Sequence, residues 1–274
     1  MAQVPVFKLN DGNAMPQLGF GVWQVPNDQA SAAVQEALAA GYRSIDTAAI
    51  YGNEPGVGEG LRAARVGRKD LFVTTKLWND KHGYDDAQRA MDESLQKLGL
   101  AYVDLYLIHW PVAGSDRFVD AWRAMVAMKE DGRARSIGVS NFTKANLQRL
   151  IDETGVVPAV NQIELHPGFN QRELRAFHAE HGIATESWSP LGQGGTLHDE
   201  TIAGIARKHG KTPAQVTLRW HVQNGLIAIP KSVTPERIRA NLDVFGFELS
   251  ADEMAAIDGI PDSGRLGPDP ESFK

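Results

Sequence analysis

Residues Gly41–Gly58 read GYRSIDTAAIYGNEPGVG. The run from Tyr42 to Ile45 alternates apolar and polar residues and reads as a strand. Asp46 closes it. Tyr51 stands in the connection that follows, and a helix is expected over Val57–Ala64. A carboxylate at a strand end and a phenol in the next loop form an uncommon pair. Taken alone, Asp46-Thr47 also fits a cap or turn, and Tyr51 a half-buried loop aromatic.

Working outward, the same strand–loop–helix unit recurs on both sides. Upstream, a strand over Leu18–Val22 leads into an Ala-rich helix, Asp28–Ala40, ended by Gly41. Downstream, strand Leu71–Lys76 precedes helix Tyr84–Lys97, and strand Val103–His109 precedes helix Asp116–Lys129. Strand Ser136–Ser140 precedes helix Lys144–Asp152, and strand Ala159–Gln162 precedes helix Gln171–His181. Strand Ile183–Trp188 precedes helices His198–Lys208 and Pro213–Gln223, and strand Leu226–Pro230 precedes helix Pro235–Val244. A helix over Ala251–Ile260 and a Pro/Gly-rich tail complete the chain.

Counted with the strand of Arg43–Asp46, these are eight strands, each followed by a helix, in a chain of 274 residues. Strands alternating with helices make parallel βαβ units. Eight of them in about 250 residues is the count of an α/β (β/α)8 TIM barrel. An open doubly wound sheet is the alternative, but no G-x-G-x-x-G follows the first strand. Asp11-Gly12 between the apolar runs Val4–Leu9 and Met15–Leu18 signals an N-terminal β-hairpin. The whole chain, 1–274, reads as a single domain with extra helices near the C-terminus.

The formal net charge of -6 gives no footing for nucleic acid as a partner. There is no cysteine, which removes disulfides, thiolate chemistry and Cys-ligated metal. No apolar signal segment opens the chain, and no run approaches the roughly eighteen apolar residues of a membrane span. A monomeric, cytoplasmic protein is expected, with neither membrane nor nucleic acid as a partner.

In a barrel of this kind function sits at the C-terminal ends of the strands. Those ends carry Asp46, Lys76, His109, Ser140-Asn141, Gln162, Trp188 and Lys231-Ser232. Singly, Lys76 could snorkel to solvent and His109 could be a satisfied core histidine. Together, Asp46, Tyr51, Lys76 and His109 place an acid, a phenol, an ammonium and an imidazole on adjacent strands about 4.8 Å apart. A phenol with a pKa of about 10 is a poor proton donor at neutral pH, and a buried ammonium beside it lowers that value. Asp46 would keep Lys76 charged, Lys76 would tune Tyr51, and Tyr51 would protonate a carbonyl oxygen that His109 also contacts. No metal is called for. A carbonyl so polarised needs a hydride from a nicotinamide cofactor. Four of the six tryptophans, Trp23, Trp78, Trp110 and Trp188, stand just past strand ends. They suggest an apolar substrate wall, with Trp188 offering a face to the nicotinamide ring.

The stretch Gly41–Gly58 resembles the aldo-keto reductase signature position by position. Thr75-Lys76-Leu77-Trp78, Leu107-Ile108-His109-Trp110-Pro111, Ile137–Phe142, Asn161–Glu164, Ser189–Gly192 and Ile229–Ser232 resemble further motifs of that family. Val157–Pro167 and Trp188 make the chain most similar to its bacterial 2,5-diketo-D-gluconate reductases. The resemblance implies NADPH-dependent reduction of aldehydes and ketones, with 2,5-diketo-D-gluconate or related dicarbonyls as the narrower expectation. It assigns the catalytic tetrad to Asp46, Tyr51, Lys76 and His109. It implies carboxamide contacts from Ser140, Asn141 and Gln162 with Trp188 under the ring. Ser189, Leu191, Gln193 and Gly194 fall along the pyrophosphate. Lys231, Ser232, Val233 and Arg237 fall at the ribose phosphate, and Asn241 at the adenine. Ala240 departs from the Glu or Gln of many relatives. Trp23, Ala48, Trp78, His109 and Trp110 are the implied substrate contacts, the short connection Val112–Ser115 suggests an open pocket, and Trp23 with the tail from Pro261 onward is expected to tune selectivity. Two other readings compete: a Schiff-base lyase using Lys76, and a non-enzymatic NADPH-binding sensor.

Overall fold

The computed structural model describes residues 4–274. Strands β1 (Val6–Lys8) and β2 (Ala14–Pro16) pair antiparallel around Asp11-Gly12, with Gly12 at φ 89°. Eight parallel strands follow: β3 (Phe20–Gly21), β4 (Ser44–Asp46), β5 (Phe72–Leu77), β6 (Val103–Ile108), β7 (Ala134–Ser140), β8 (Val160–Glu164), β9 (Ala184–Trp188) and β10 (Ile227–Ala228). Each pairs with its chain neighbour. Parallel bridges Leu18–Ala228 and Gly21–Lys231 join the two ends, and the sheet closes into the expected (β/α)8 barrel. The first and last strands are shorter than Leu18–Val22 and Leu226–Pro230, because that seam is held by single bridges rather than a continuous ladder.

The helices are α1 (Asn27–Ala40), α2 (Glu54–Ala63), α3 (Tyr84–Leu98), α4 (Phe118–Glu130), α5 (Lys144–Thr154), α6 (Arg172–Glu180), α7 (Glu200–His209), α8 (Pro213–Gln223), α9 (Pro235–Leu242) and α10 (Ala251–Asp258). Their starts follow local chemistry. Thr143 with Asn146, Thr212 with Gln215, and Ser250 with Glu253 form reciprocal caps on α5, α8 and α10. In α3, Ala87, Ala90, Met91, Ser94, Leu95 and Leu98 are buried at helical spacing, and Gly99 ends it in the left-handed region. Helix α2 starts three residues before Val57, because Pro55 suits a first helical turn and Glu54 can precede it. That draws the Tyr51 loop into a single 3₁₀ turn, Ala49–Tyr51.

Two apolar regions support the mouth of the barrel. The larger lies between the sheet and its ring of helices and includes Ile45, Val73, Tyr106, Trp122 and Val139. Another fills the lower barrel, where Leu9, just past β1, and Met15 of β2 meet Phe72, Leu105, Leu107, Ala184 and Ile227. The hairpin is therefore a plug under the barrel. The polar strand ends lie at the opposite end, facing a cavity.

Candidate active site

Strand β4 delivers Asp46 and β5 delivers Lys76, both buried. Lys76 Nζ donates to Asp46 Oδ1 at 2.6 Å and to the Thr47 carbonyl at 2.9 Å. The ammonium lies 5.2 Å from the centre of the Tyr51 ring. Tyr51 in turn lies 5.7 Å, ring centre to ring centre, from His109, just past β6. Trp78, after β5, meets the other side of His109 edge-on at 5.2 Å. The four expected residues thus form one contiguous group.

Asn53 and Glu54, the residues just past Tyr51, hold its loop in place. Asn53 donates to the carbonyls of Val22 and Val25 at 2.9 Å each and accepts from Thr47 Oγ1 at 2.7 Å. Glu54 accepts from Thr75 Oγ1 at 2.7 Å. Both are buried. The loop is thereby tied to the segments just past β3 and β4 and to β5 by side chains whose partners lie up to 31 residues away.

Burial alone would lower the Lys76 pKa, but Asp46 and Tyr51 outweigh it and the ammonium sits above its ordinary value. A fully buried, paired ammonium is a poor amine nucleophile, which counts against the Schiff-base alternative. Burial also lifts the Tyr51 phenol above its ordinary value. Lys76 pulls it down, though by less, so the expected net lowering does not occur in the free protein. Tyr51 consequently keeps its proton across the working pH range. Burial, with Lys76 adding, holds the His109 pKa well below its ordinary value. The imidazole is neutral and carries a single N–H.

These groups open into a cavity of about 500 Å³ whose lining includes Trp23, Tyr51, Trp78, His109, Trp110 and Trp188. Ser140, Asn141, Gln162, Ser189, Gln193 and Lys231 also face it. Ala48 does not. It is fully buried, and its carbonyl accepts the Tyr51 N–H at 3.0 Å, so it shapes the turn rather than contacting substrate. Leu191 packs partly buried against the core, and Gly194 (φ 98°) stands outside the lining; both shape the loop after β9. Five non-glycine residues around the mouth, Gln24, Val112, Asn141, Ser189 and Gln193, have φ between 48° and 63°. Such backbone gathers where a site holds its loops in costly conformations.

The tail contributes what the strand ends could not reveal. Gly267 and Pro268 line the cavity, and the Phe273 ring lies 4.5 Å from that of Trp110. Ala113 N–H donates to the Phe273 carbonyl at 2.8 Å, so the tail fills the space beside the short Val112–Ser115 connection. The pocket is not left open there. Glu164, at the end of β8, fastens this tail by accepting the N–H groups of Leu266 at 2.7 Å and Gly267 at 2.9 Å.

The arrangement of a closed (β/α)8 barrel, an ion-paired lysine, a half-buried tyrosine and a neutral histidine at its mouth defines a carbonyl-reducing site. Residues 17–262 match the model of the aldo/keto reductase family. The Yersinia pestis protein called methylglyoxal reductase DkgA is 58% identical over 275 aligned positions, covering 100% of this chain and 99% of that one. The Escherichia coli K12 protein of the same name is 55% identical over the same coverage. Among solved structures, the Gox0644 mutant in complex with NADPH superposes with a TM-score of 0.96 at 54% identity, each chain covered in full. The chain belongs to the aldo/keto reductase family and is an NADP-dependent oxidoreductase.

The residues at the mouth suit NADPH. Asn141 donates to the His109 carbonyl and to Ser140 Oγ, at 3.0 Å each, and accepts from Trp188 Nε1 at 2.7 Å. Gln162 Nε2 is committed to Asp46 and Glu186, leaving its side-chain oxygen for a carboxamide N–H. At the far edge Lys231 and Arg237 are exposed, and among the described residues neither forms an ion pair. Helix α9 begins there with no side-chain cap on its first N–H groups. Two cations, a hydroxyl (Ser232) and an uncapped helix start are the donors a phosphate dianion needs. Val233 is exposed beside them and Asn241 is buried one turn past Arg237.

Proposed function

We propose that this enzyme reduces short dicarbonyls and other uncharged aldehydes and ketones, with Tyr51 as the proton donor. Bound NADPH supplies the hydride that adds to the carbonyl carbon. Tyr51 Oη gives its proton to the oxygen as charge develops there, and the neutral His109 donates a second hydrogen bond that orients the carbonyl. Lys76, kept charged by Asp46, stabilises the phenolate that remains. The observation carrying this reading is the 2.6 Å Lys76–Asp46 pair beside Tyr51 at the floor of an aromatic cavity. Trp23, Trp78, Trp110 and Ile50 give the substrate side an apolar wall, and Lys231 is the cation among the lining residues. With Lys231 assigned to the ribose phosphate, no cation among the described lining residues is left to pair a substrate carboxylate. Methylglyoxal, for which the DkgA relatives are named, therefore ranks ahead of 2,5-diketo-D-gluconate.

Tyr51→Phe tests the proton donor. NADPH should still quench tryptophan emission with wild-type affinity, while kcat for methylglyoxal falls on the order of a hundredfold or more. Undiminished kcat in that variant removes Tyr51 from the donor role.

A further inference from the structure

Glu186 lies on β9, fully buried, and the scheme above gives it no part. Gln162 Nε2 donates to Glu186 Oε2 at 2.8 Å and to Asp46 Oδ2 at 2.8 Å, so one amide nitrogen joins two carboxyl groups. Glu186 Oε1 has no hydrogen-bond partner among the described residues. The cation closest to hand, Lys76, is spent on Asp46. On one side the ladder partner of Glu186 is Gln162, and on the other it is Ile227, part of the apolar plug.

A carboxylate with one hydrogen bond and no cation is costly to hold in such a place. A second negative charge one amide away from Asp46 raises that cost. The neutral acid is the form these surroundings accept. Consistently, burial and then the Asp46 charge push the Glu186 carboxyl up to about 8, against weaker pulls from Gln162 and Lys76.

We infer that Glu186 is a positioning residue for the reduction: as the neutral acid it orients the Gln162 amide and leaves the buried charge beneath Tyr51 balanced, and its ionisation in alkaline solution slows the reaction. The titratable and charged groups acting on it are Asp46 from β4, Tyr51 from the turn after β4 and Lys76 from β5; β10 presents apolar Ile227. While Glu186 is neutral, Asp46 and Lys76 cancel. When it releases its proton to solvent, one uncompensated negative charge remains. That charge raises the Tyr51 pKa further and makes the phenol a weaker donor.

The inference rests on Tyr51 being the proton donor, and two measurements keep the two ideas apart. The first is the pH profile of kcat/KM with saturating NADPH and a non-ionisable aldehyde such as 4-nitrobenzaldehyde. The wild type should lose about tenfold between about pH 7 and about pH 9.5, whereas Glu186→Gln, permanently neutral and of the same shape, should lose less than about twofold. Superimposable profiles overturn the proposal. The second is infrared spectroscopy of the cofactor-free wild type. A protonated-carboxyl C=O band should be present at neutral pH, vanish as pH rises through about 8, and be missing from Glu186→Gln. Absence of that band in the wild type overturns the proposal without reference to activity. A fully active Tyr51→Phe would sink the donor assignment and leave the band untouched.

Discussion

At the scale of single residues, the Lys76–Asp46 pair couples stability to chemistry. Both side chains are essentially without solvent, so neither charge is tolerable alone. Lys76→Met leaves Asp46 buried without its cation and should cost about 3–5 kcal/mol, read as a drop in the urea midpoint. Adding Asp46→Asn removes the orphaned charge. The double variant should recover much of that stability while kcat stays at the single-variant level, since the phenolate has lost its counterion. Recovery of kcat together with stability would mean that the pair acts only as scaffold. This group was legible in the sequence because Asp46, Lys76 and His109 each end an apolar strand pattern, where a polar residue needs a reason, and Tyr51 stands in the loop that follows the first of them. Glu186 and Glu164 were not. Glu186 lies inside a strand pattern and Glu164 just past the expected end of one, and the tail groups that Glu164 holds are as far as 103 residues away in the chain.

At the scale of elements, the site depends on close approaches that only particular residues allow. The glycines at 56, 58 and 60, which do not match a dinucleotide-binding loop, all lie in α2 and let it press against its neighbours. A Cβ on Gly58 would sit 2.2 Å from the Leu98 carbonyl oxygen at the end of α3, and that atom is backbone. Gly58→Ala must therefore push α2 and α3 apart, at a cost of about 1–3 kcal/mol or more, measurable as a lowered melting temperature. An unchanged melting temperature would show that the helices shift freely. The C-terminal strap is the second such element. Burial alone would raise the Glu164 pKa, but hydrogen bonds from His166, Leu266 and Gly267 hold it below its ordinary value, so the fastening is a carboxylate. Glu164→Gln replaces one acceptor oxygen with an N–H2 group facing an N–H. It should free residues 264–273, raise KM for methylglyoxal several-fold and speed proteolysis of the tail, with little effect on NADPH affinity. An unaltered KM would uncouple the strap from the substrate wall. The sequence pointed to the tail from Pro261 onward as a tuner of selectivity, but its fastening was not legible, because Pro/Gly-rich composition marks irregular chain without saying where it folds back. The barrel itself was visible because eight apolar runs, each followed by a helical pattern, leave few other closures.

At the scale of the whole molecule, buried titratable groups set where the fold is most stable. Burial holds the pKa of His82 at about 4, of His178 at about 3 and of His221 at about 4, well below the ordinary 6.5. As pH falls below 6.5, the unfolded chain takes up protons at these sites that the native protein refuses. Stability contributed by the neutral histidines is complete above 6.5 and is lost as pH falls through about 4. Glu186 works in the opposite sense. Its folded pKa of about 8 stands above the ordinary 4.5, so the native protein binds the extra proton, and that contribution is lost as pH rises through about 8. His109, held well below its ordinary value, behaves as these three do, so between 4.5 and 6.5 four histidines oppose one glutamate, a net of about three protons, or about 4 kcal/mol per pH unit at the steepest. Above 6.5 only the glutamate limb remains, at about 1.4 kcal/mol per pH unit. The urea midpoint should therefore peak near pH 6.5, falling steeply on the acid side and gently towards pH 8. Glu186→Gln should flatten the alkaline limb and leave the acid one. A midpoint that climbs from pH 7 to pH 5 would mean that the histidines are not buried neutral. An alkaline limb that persists in Glu186→Gln would mean that a different group carries it.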